Sequence, residues 1–507
     1  MSNPHPVPPP ASRVHPKLDP GTEEIRSMAA AALDWVVDYH DRIRDLPVAP
    51  ATSAADLDAL LAEPIPVAGR DFGRLLETFR KVIVPGSRHN GHPRFFGYVS
   101  APGTAIASVA DLLASALNAN LTAWRSAPAP VQVERLAIDW IREALGFDDR
   151  AGGLFTSGGS MANLTALAAA RYRHCGADVS TLGVAAHPKP LRIYASTEAH
   201  HSIHKAAALL GIGRANVREI PVDDRFRMRV DELARAIGED RAAGLDPFCI
   251  VANAGTVVTG AVDPLPQIAQ VAAEQGLWLH VDACYGGFAR LAPSVSLLFE
   301  GLERADSVAL DPHKWLYLPA DCGCLIYRNP TEVLGAFALD ADYTRVLHEE
   351  PAEAHAFWDY GPELSRRFRA LKVWMTLAYV GTAAIGEAIE SNVDCARYIA
   401  RLIEESDDFE LMAPVELSIF CFRYLPESLR GVARSDADEQ ELDRLNEQIM
   451  LSVQRAGGSY VSNATIRGRF AMRGCVLNYR TTRRDMEVLL DDVRSAAQQH
   501  GSHVRDG

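Results

Sequence analysis

Lys314 lies between two apolar runs, Ser307 to Leu310 and Cys322 to Tyr327, directly after Asp311-Pro312-His313 and before Trp315-Leu316. That pattern predicts two core strands joined by a tight turn that presents the amine. A lone lysine on a loop is ordinarily a solvated charge, so a chemical role needs partners. Packed beside Trp315 and Leu316, its ammonium form is expected to be disfavoured by desolvation, which prepares an amine for Schiff-base chemistry with an aldehyde cofactor. A second feature could serve such a cofactor: Thr156-Ser157-Gly158-Gly159-Ser160 follows the apolar run Gly153 to Phe155 and opens an alanine-rich helical pattern. Glycines at a helix start let backbone N–H groups approach a phosphate, and the helix dipole favours its charge. Alone, such a turn is equally a plain helix cap. His200, His201 and His204 invite a metal reading, with His200 and His204 on one helix face, but no third ligand stands nearby and no metal site is expected.

These residues must be positioned by strands. Pro247 to Ala254 is a continuous apolar run, as in a buried parallel strand. A helical stretch, Ile268 to Gln275, and a further apolar strand, Leu277 to Val281, follow it and end at Asp282. Strand, helix, strand is a βαβ unit, so the fold class is α/β with a mostly parallel sheet in a large domain. Ligands in such sheets bind beyond the carboxyl ends of strands, where Thr256, Asp282 and Lys314 all fall. Another strand, Leu191 to Ala195, leads to His200. Helices are expected at Thr22 to Val36, Ser53 to Leu61 and Phe72 to Val82, and two more between Ala110 and Phe147. His92 to Tyr98 reads as an aromatic strand, and Ser365 to Trp374 as the start of a long helix. Helices at Glu387 to Glu405 and Glu439 to Gln454, with strands near Leu417 to Phe422 and Val476 to Tyr479, suggest a small α+β carboxy-terminal domain. The organisation expected is a disordered proline-rich leader (1–21), a helical segment (22–91), a large domain (92–375) and a small one (376–507).

Composition narrows the class. The 507 residues are 48% hydrophobic and 23% charged, typical of a soluble globular chain too long for one core. A net charge of −14 argues against nucleic acid or anionic membrane as partner. No run of about 18 apolar residues is present, so no membrane span is expected. The eight cysteines are scattered, and Cys322-x-Cys324 lacks a second pair for zinc, so reduced cytoplasmic thiols are expected.

Ser307-Val308, Lys314, Trp315-Leu316 and Cys322 together resemble the lysine signature of the group II pyridoxal-phosphate (PLP) amino-acid decarboxylases, and similar motifs follow one order from about residue 22 to about residue 495. The resemblance implies PLP-dependent transferase fold type I with a central sheet of the seven-stranded kind. It implies a homodimer wrapped by the amino-terminal helices, with active sites at the subunit interface. It casts Lys314 as the covalent anchor, beside His313, and Gly159 and Ser160 as phosphate ligands. His200 stacks on the cofactor ring, Ala283 lies on the opposite face, and Thr256 bonds the phenolic oxygen or a neighbouring group. Asp282, in His280-Val281-Asp282-Ala283, pairs with the pyridine nitrogen and makes the ring an electron sink. Tyr343, in Leu339-Asp340-Ala341-Asp342-Tyr343, protonates the α-carbon after carbon dioxide leaves. Tyr98, Val99 and Ser100 join the substrate pocket, Arg473 lies near the substrate carboxylate, and Asn120, Thr122 and Trp124 reach into the neighbouring subunit's site. Asn120 and Thr122 replace the isoleucine and phenylalanine of animal aromatic-amino-acid enzymes, and the spacing Asn118-x-Asn120 is closer to glutamate decarboxylases.

The function expected is therefore decarboxylation of an L-amino acid, an aromatic one slightly favoured over glutamate-like, diamino or branched aliphatic ones. A related PLP aminotransferase or aldehyde-forming oxidative deaminase, and a non-catalytic PLP-binding protein, are the other readings.

Overall fold

The computed structural model describes residues 18–338, 353 and 355–501; Tyr343 and most of the expected leader lie outside them. Chain contacts divide it into two units, Met1–His89 and Asn90–Gly507.

In the first unit, helices span Thr22–Arg42, Ala54–Leu61 and Phe72–Thr78, the last continuing as a π-helical turn, Phe79–Ile83. Ser53 starts the second with a capping box to Asp56. None of the three helices has a buried residue. Trp35 instead packs on its own unit's rings, 5.0 Å from Tyr39 and 4.7 Å from Phe79.

The second unit carries a seven-stranded sheet and a four-stranded one. The large sheet comprises β1 (Gly152–Thr156), β2 (Leu191–Ser196), β3 (Val217–Ile220), β4 (Asp246–Asn253), β5 (Trp278–Asp282), β6 (Ser307–Leu310) and β7 (Gly323–Tyr327), in the order β1-β7-β6-β5-β4-β2-β3. From β6 to β3 every pairing is parallel, while β7 runs antiparallel to both neighbours. β4 is buried from Pro247 to Asn253 and β5 throughout, which accounts for their unbroken apolar runs. The small antiparallel sheet, β8 (Phe409–Leu411), β9 (Ile419–Tyr424), β10 (Ser462–Ile466) and β11 (Arg469–Cys475), packs with helices Thr382–Glu404, Asp436–Ala456 and Arg483–Gly501 around a second core that includes Phe420, Phe422, Ile449 and Leu489.

Three expectations are corrected. His92 to Tyr98 forms a turn with a single bridge, Phe95 to Tyr460, and no strand. Several of its first backbone oxygens are claimed by side chains: Asn478 donates to Gly91 O and His92 O, and Thr481 to Pro93 O, while Arg94 O and Phe96 O accept from Tyr460 N–H and Cys475 N–H. That use of Asn478 also explains why the last strand ends at Cys475, ahead of Val476 to Tyr479. Arg366 to Arg369 precede a helix that begins only at Ala370. Arg366 is spent elsewhere: its N–H donates to Asn120 Oδ1 at 2.9 Å, and its buried guanidinium pairs with Glu134 and lies 4.3 Å from the Phe357 ring. Removing either charge of that pair would strand the other, at a cost of about 3–5 kcal/mol.

Candidate active site

A cavity of about 700 Å³ opens at the carboxyl ends of the parallel strands. Gly159, Ser160, His200, Asp282, His313 and Lys314 all line it. Tyr98, Val99 and Arg473 complete the set of sequence-derived residues found there. Asp282 is the last residue of β5, His200 caps the helix His201–Leu209 after β2, and Lys314 follows β6 in the turn to β7.

The glycine turn opens a helix of 17 residues, Gly159–Cys175, whose first N–H groups have no preceding turn to bond. There is no room for a side chain at residue 159, whose Cβ would collide with Cys284 Sγ and come within 2.9 Å of Asp311 Oδ2, so only glycine lets this helix start lie against the cavity wall. On the facing turn, His313 Nδ1 donates to Cys322 O at 2.8 Å, and its Nε2 lies 3.7 Å from Asp311 Oδ2.

Lys314 departs from expectation. Burial alone would push its ammonium down, but Asp311 Oδ2 at 2.9 Å, reinforced by the charge of Asp282, outweighs that and holds its pKa above the ordinary lysine value. Asp311 reads in sequence as a turn former; in space it is the amine's counter-ion, and its other oxygen, Oδ1, is buried with no hydrogen-bond partner among the described residues.

One hydrogen-bond chain links the two residues that would face a cofactor ring. Trp278 Nε1 donates to Ser307 Oγ at 2.8 Å, and Ser307 lies 2.9 Å from His280 Nδ1. His280 Nε2 lies 2.8 Å from Asn163 Oδ1, and Asn163 Nδ2 donates to Asp282 Oδ2 at 2.9 Å and to Ser202 Oγ at 2.8 Å. Ser202 in turn lies 2.8 Å from His200 Nδ1, toward which its own N–H also points. The ends fix every direction: an indole only donates and a carboxylate only accepts. The Asn163 amide must therefore present nitrogen to Asp282 and oxygen to His280, so His280 carries its proton on Nε2. Burial keeps His280 neutral, its pKa pushed down to about 4. At the other branch Nδ1 of His200 receives two donors, so its proton sits on Nε2, and burial favours this neutral form. Asp282 is buried, which alone would raise its pKa, yet Lys314 and the hydrogen bonds from Asn163 and the Cys284 N–H hold it below the ordinary carboxylate value.

Asn163 is thus a positioning residue. Replacing it with alanine removes a hydrogen bond to a charged group, worth about 1.5–3 kcal/mol, and should lower kcat/KM roughly tenfold to a hundredfold. Because that bond lowers the Asp282 pKa, its loss raises it, so the acid-side loss of activity due to Asp282, which in the wild type lies below the ordinary carboxylate range, should move to higher pH. An unmoved acid limb would show that Asn163 merely packs.

The structure leaves other expected residues elsewhere. Thr256 spends its hydroxyl on Thr259 Oγ1 at 3.0 Å and on the Ala261 N–H, within its own loop, so it is not turned into the cavity. Ala283 is fully buried with its N–H on Ala309 O. Asn120, Thr122 and Trp124 are held by Arg366, Ser126 and His355, and with Ser100 lie outside this chain's cavity lining. Nor do His200 and His204 share a helix face as ligands: His200 is the cap, and His204 Nε2 turns to Glu219 Oε1 at 3.5 Å. Sequence reasoning missed Asn163, Ser202, Asp311, Val257 and Val258; of these only Asp311, two residues from a lining histidine, carried a local signal.

Comparison with known proteins agrees with this geometry. The family model "Pyridoxal-dependent decarboxylase conserved domain" matches residues 55–425. The aromatic-L-amino-acid decarboxylase of Bacillus atrophaeus is 34% identical over 482 residues, 95% of this chain and 97% of the relative. The phenylacetaldehyde synthase of Petunia hybrida is 30% identical over 469 residues, 90% of this chain and 91% of the relative. The solved structure of Oryza sativa TDC with PLP and tryptamine superposes with a TM-score of 0.87 at 29% identity, covering 95% of this chain and 99% of that one. The cavity fits such a cofactor: the side-chain-free cradle at Gly159 suits a phosphate, and a buried amine and a buried ionised carboxylate line the same space.

Proposed function

This chain belongs to the pyridoxal-dependent decarboxylase family, and from that premise we propose that it decarboxylates an aromatic L-amino acid to the primary amine. The observation that carries the reading is the convergence of Lys314, Asp282 and the Gly159 helix start on one cavity. PLP, when bound, supplies a cationic ring that takes up the electron pair left as carbon dioxide departs. Lys314 would anchor it covalently, the N–H groups of Gly159 and Ser160 would hold its phosphate with His313 alongside, and Asp282 would keep a ring proton in place. His200 would offer its Nε2–H from the side.

For the anchor amine to react, it must first give up a proton, and Asp311 Oδ2 lies within hydrogen-bond distance to accept it. Arg473 suits the substrate carboxylate. It is buried, with Nε donating to Val258 O and Nη1 to Tyr98 O, while Nη2 has no partner among the described residues. Two donors thus fix the guanidinium, and the third awaits an anion. Val257 and Val258, with Tyr98 and Val99, give one wall of the pocket an apolar surface suited to an aromatic side chain. We assign the proton returned to the α-carbon to Tyr343, which lies outside the described residues. We also propose a homodimer in which Asn120, Thr122 and Trp124 serve the partner's site, since they do not serve their own. Among the described residues no helix is long and apolar enough to cross a membrane. Eight unpaired cysteines support a reducing, cytoplasmic setting.

The similarity to a phenylacetaldehyde synthase keeps one second reading, aldehyde formation at the expense of dioxygen with release of ammonia and peroxide. Product analysis of the PLP-loaded enzyme against the twenty amino acids separates the two. Carbon dioxide and primary amine in equal amounts, from aromatic substrates above all others, is the expected result. Aldehyde as main product would establish the second reading, and turnover of glutamate alone would overturn the aromatic assignment.

A further inference from the structure

We propose that His174, His187 and Asp246 form a site for one divalent transition-metal ion, best suited to zinc, at the end of the sheet away from the catalytic cavity. Three separate segments deliver these residues. His174 is in the last turn of the helix Gly159–Cys175, His187 is in the loop before β2, and Asp246 is the first residue of β4. Nε2 of His174 and Nε2 of His187 approach the same oxygen, Asp246 Oδ2, at 2.8 and 2.7 Å. The three ligand atoms all lie within 4.8 Å of one another. The rings are inclined at 56° with centroids 5.9 Å apart, so they converge through their nitrogens and do not stack.

Zinc bonds of about 2.0–2.2 Å place tetrahedral ligand atoms roughly 3.3–3.6 Å apart, so the two nitrogen–oxygen separations of 2.8 and 2.7 Å would open by about half an ångström or more as the ion enters. Two imidazoles and a carboxylate match the borderline character of zinc and leave a fourth position for water. His174 is exposed, giving the ion access from solvent. The supporting backbone is fixed: the Asp246 N–H donates to Pro190 O at 2.9 Å, and Leu191 pairs with Asp246 at the start of the β2–β4 ladder.

The role is structural. The helix leaves the cavity at Gly159 and reaches His174 15 residues later, about 22 Å along its axis at 1.5 Å per residue. β4 likewise has Asn253 at the cavity and Asp246 at its far end. An ion here would fasten the 176–190 connection to the amino-terminal end of β4 without touching the reaction. The alternative is a metal-free clip in which both imidazoles simply donate to one carboxylate.

Untagged, PLP-loaded enzyme stripped with a chelator and titrated with zinc by calorimetry decides between them. We expect one equivalent bound per chain at micromolar affinity or tighter, a thermal midpoint raised by several degrees, and unchanged decarboxylation. His174→Ala should weaken binding at least tenfold. Asp246→Asn, whose amide oxygen still accepts both imidazole hydrogens, should keep the clip and the fold yet also lose the ion. Absence of a stoichiometric site, or binding equal in wild type and both variants, would overturn the proposal.

Discussion

Lys314→Arg is expected to reduce decarboxylation by about 10³-fold or more, the scale on which loss of a covalent catalyst is felt, and to abolish cofactor retention after borohydride reduction. Arginine is the informative substitution because of Asp311. The carboxylate is 4% exposed, and Lys314 neutralises it at 2.9 Å. Lys314→Ala would leave that buried charge without its lysine partner, with only His313 Nε2 at 3.7 Å, and should destabilise the fold by about 3–5 kcal/mol, so lost activity would have two explanations. Arginine keeps a cation beside Asp311 but has no amine that deprotonates near neutrality. The expected pattern is a melting temperature near that of wild type for Lys314→Arg, a lower one for Lys314→Ala, and no reducible linkage in either. Mass spectrometry after borohydride treatment checks it: a cofactor adduct surviving in the arginine variant would place the anchor on another residue.

What could be read from the chain depended on whether the signal was local. β4, β5 and β6 announce themselves as unbroken apolar runs because both faces are covered, and each ends close to a residue that lines the cavity. Asn163 had no such signal: in sequence it is one polar residue in an alanine-rich helix, and its importance arises from His280 and Asp282, 117 and 119 residues away. Lys314 shows the same limit in energetic form. Its apolar neighbours Trp315 and Leu316 are buried as anticipated, but the sign of the amine's shift is decided by one carboxylate three residues earlier whose side-chain direction the sequence does not reveal. Turn residues were the least legible, since Asn478 and Thr481 satisfy the His92 region with side-chain bonds that no periodicity encodes.

The second large effect is expected at Asp282. Asp282→Asn preserves size, and its carbonyl oxygen can still accept the Asn163 amide hydrogen, so the chain from Trp278 to His200 should survive. What is lost is charge. Removing one preorganised electrostatic partner from a buried site costs about two to three orders of magnitude in kcat, and kcat is where the loss should appear, because the carboxylate acts on the cofactor and not on the free amino acid. KM for the amino acid should change much less. The pH dependence supplies an independent check on the wild-type enzyme. A carboxyl whose folded-state pKa is depressed contributes its stabilisation above its unfolded value, and that contribution fades as the pH falls through the depressed folded value. Asp282, held low by Lys314 and two hydrogen bonds, should therefore stay ionised below the ordinary carboxylate range and impose no acid limb near neutrality. Were Asp282→Asn to retain wild-type kcat with PLP bound, the ring nitrogen would have no need of this acid, and the electron-sink role assigned to Asp282 would have to be abandoned.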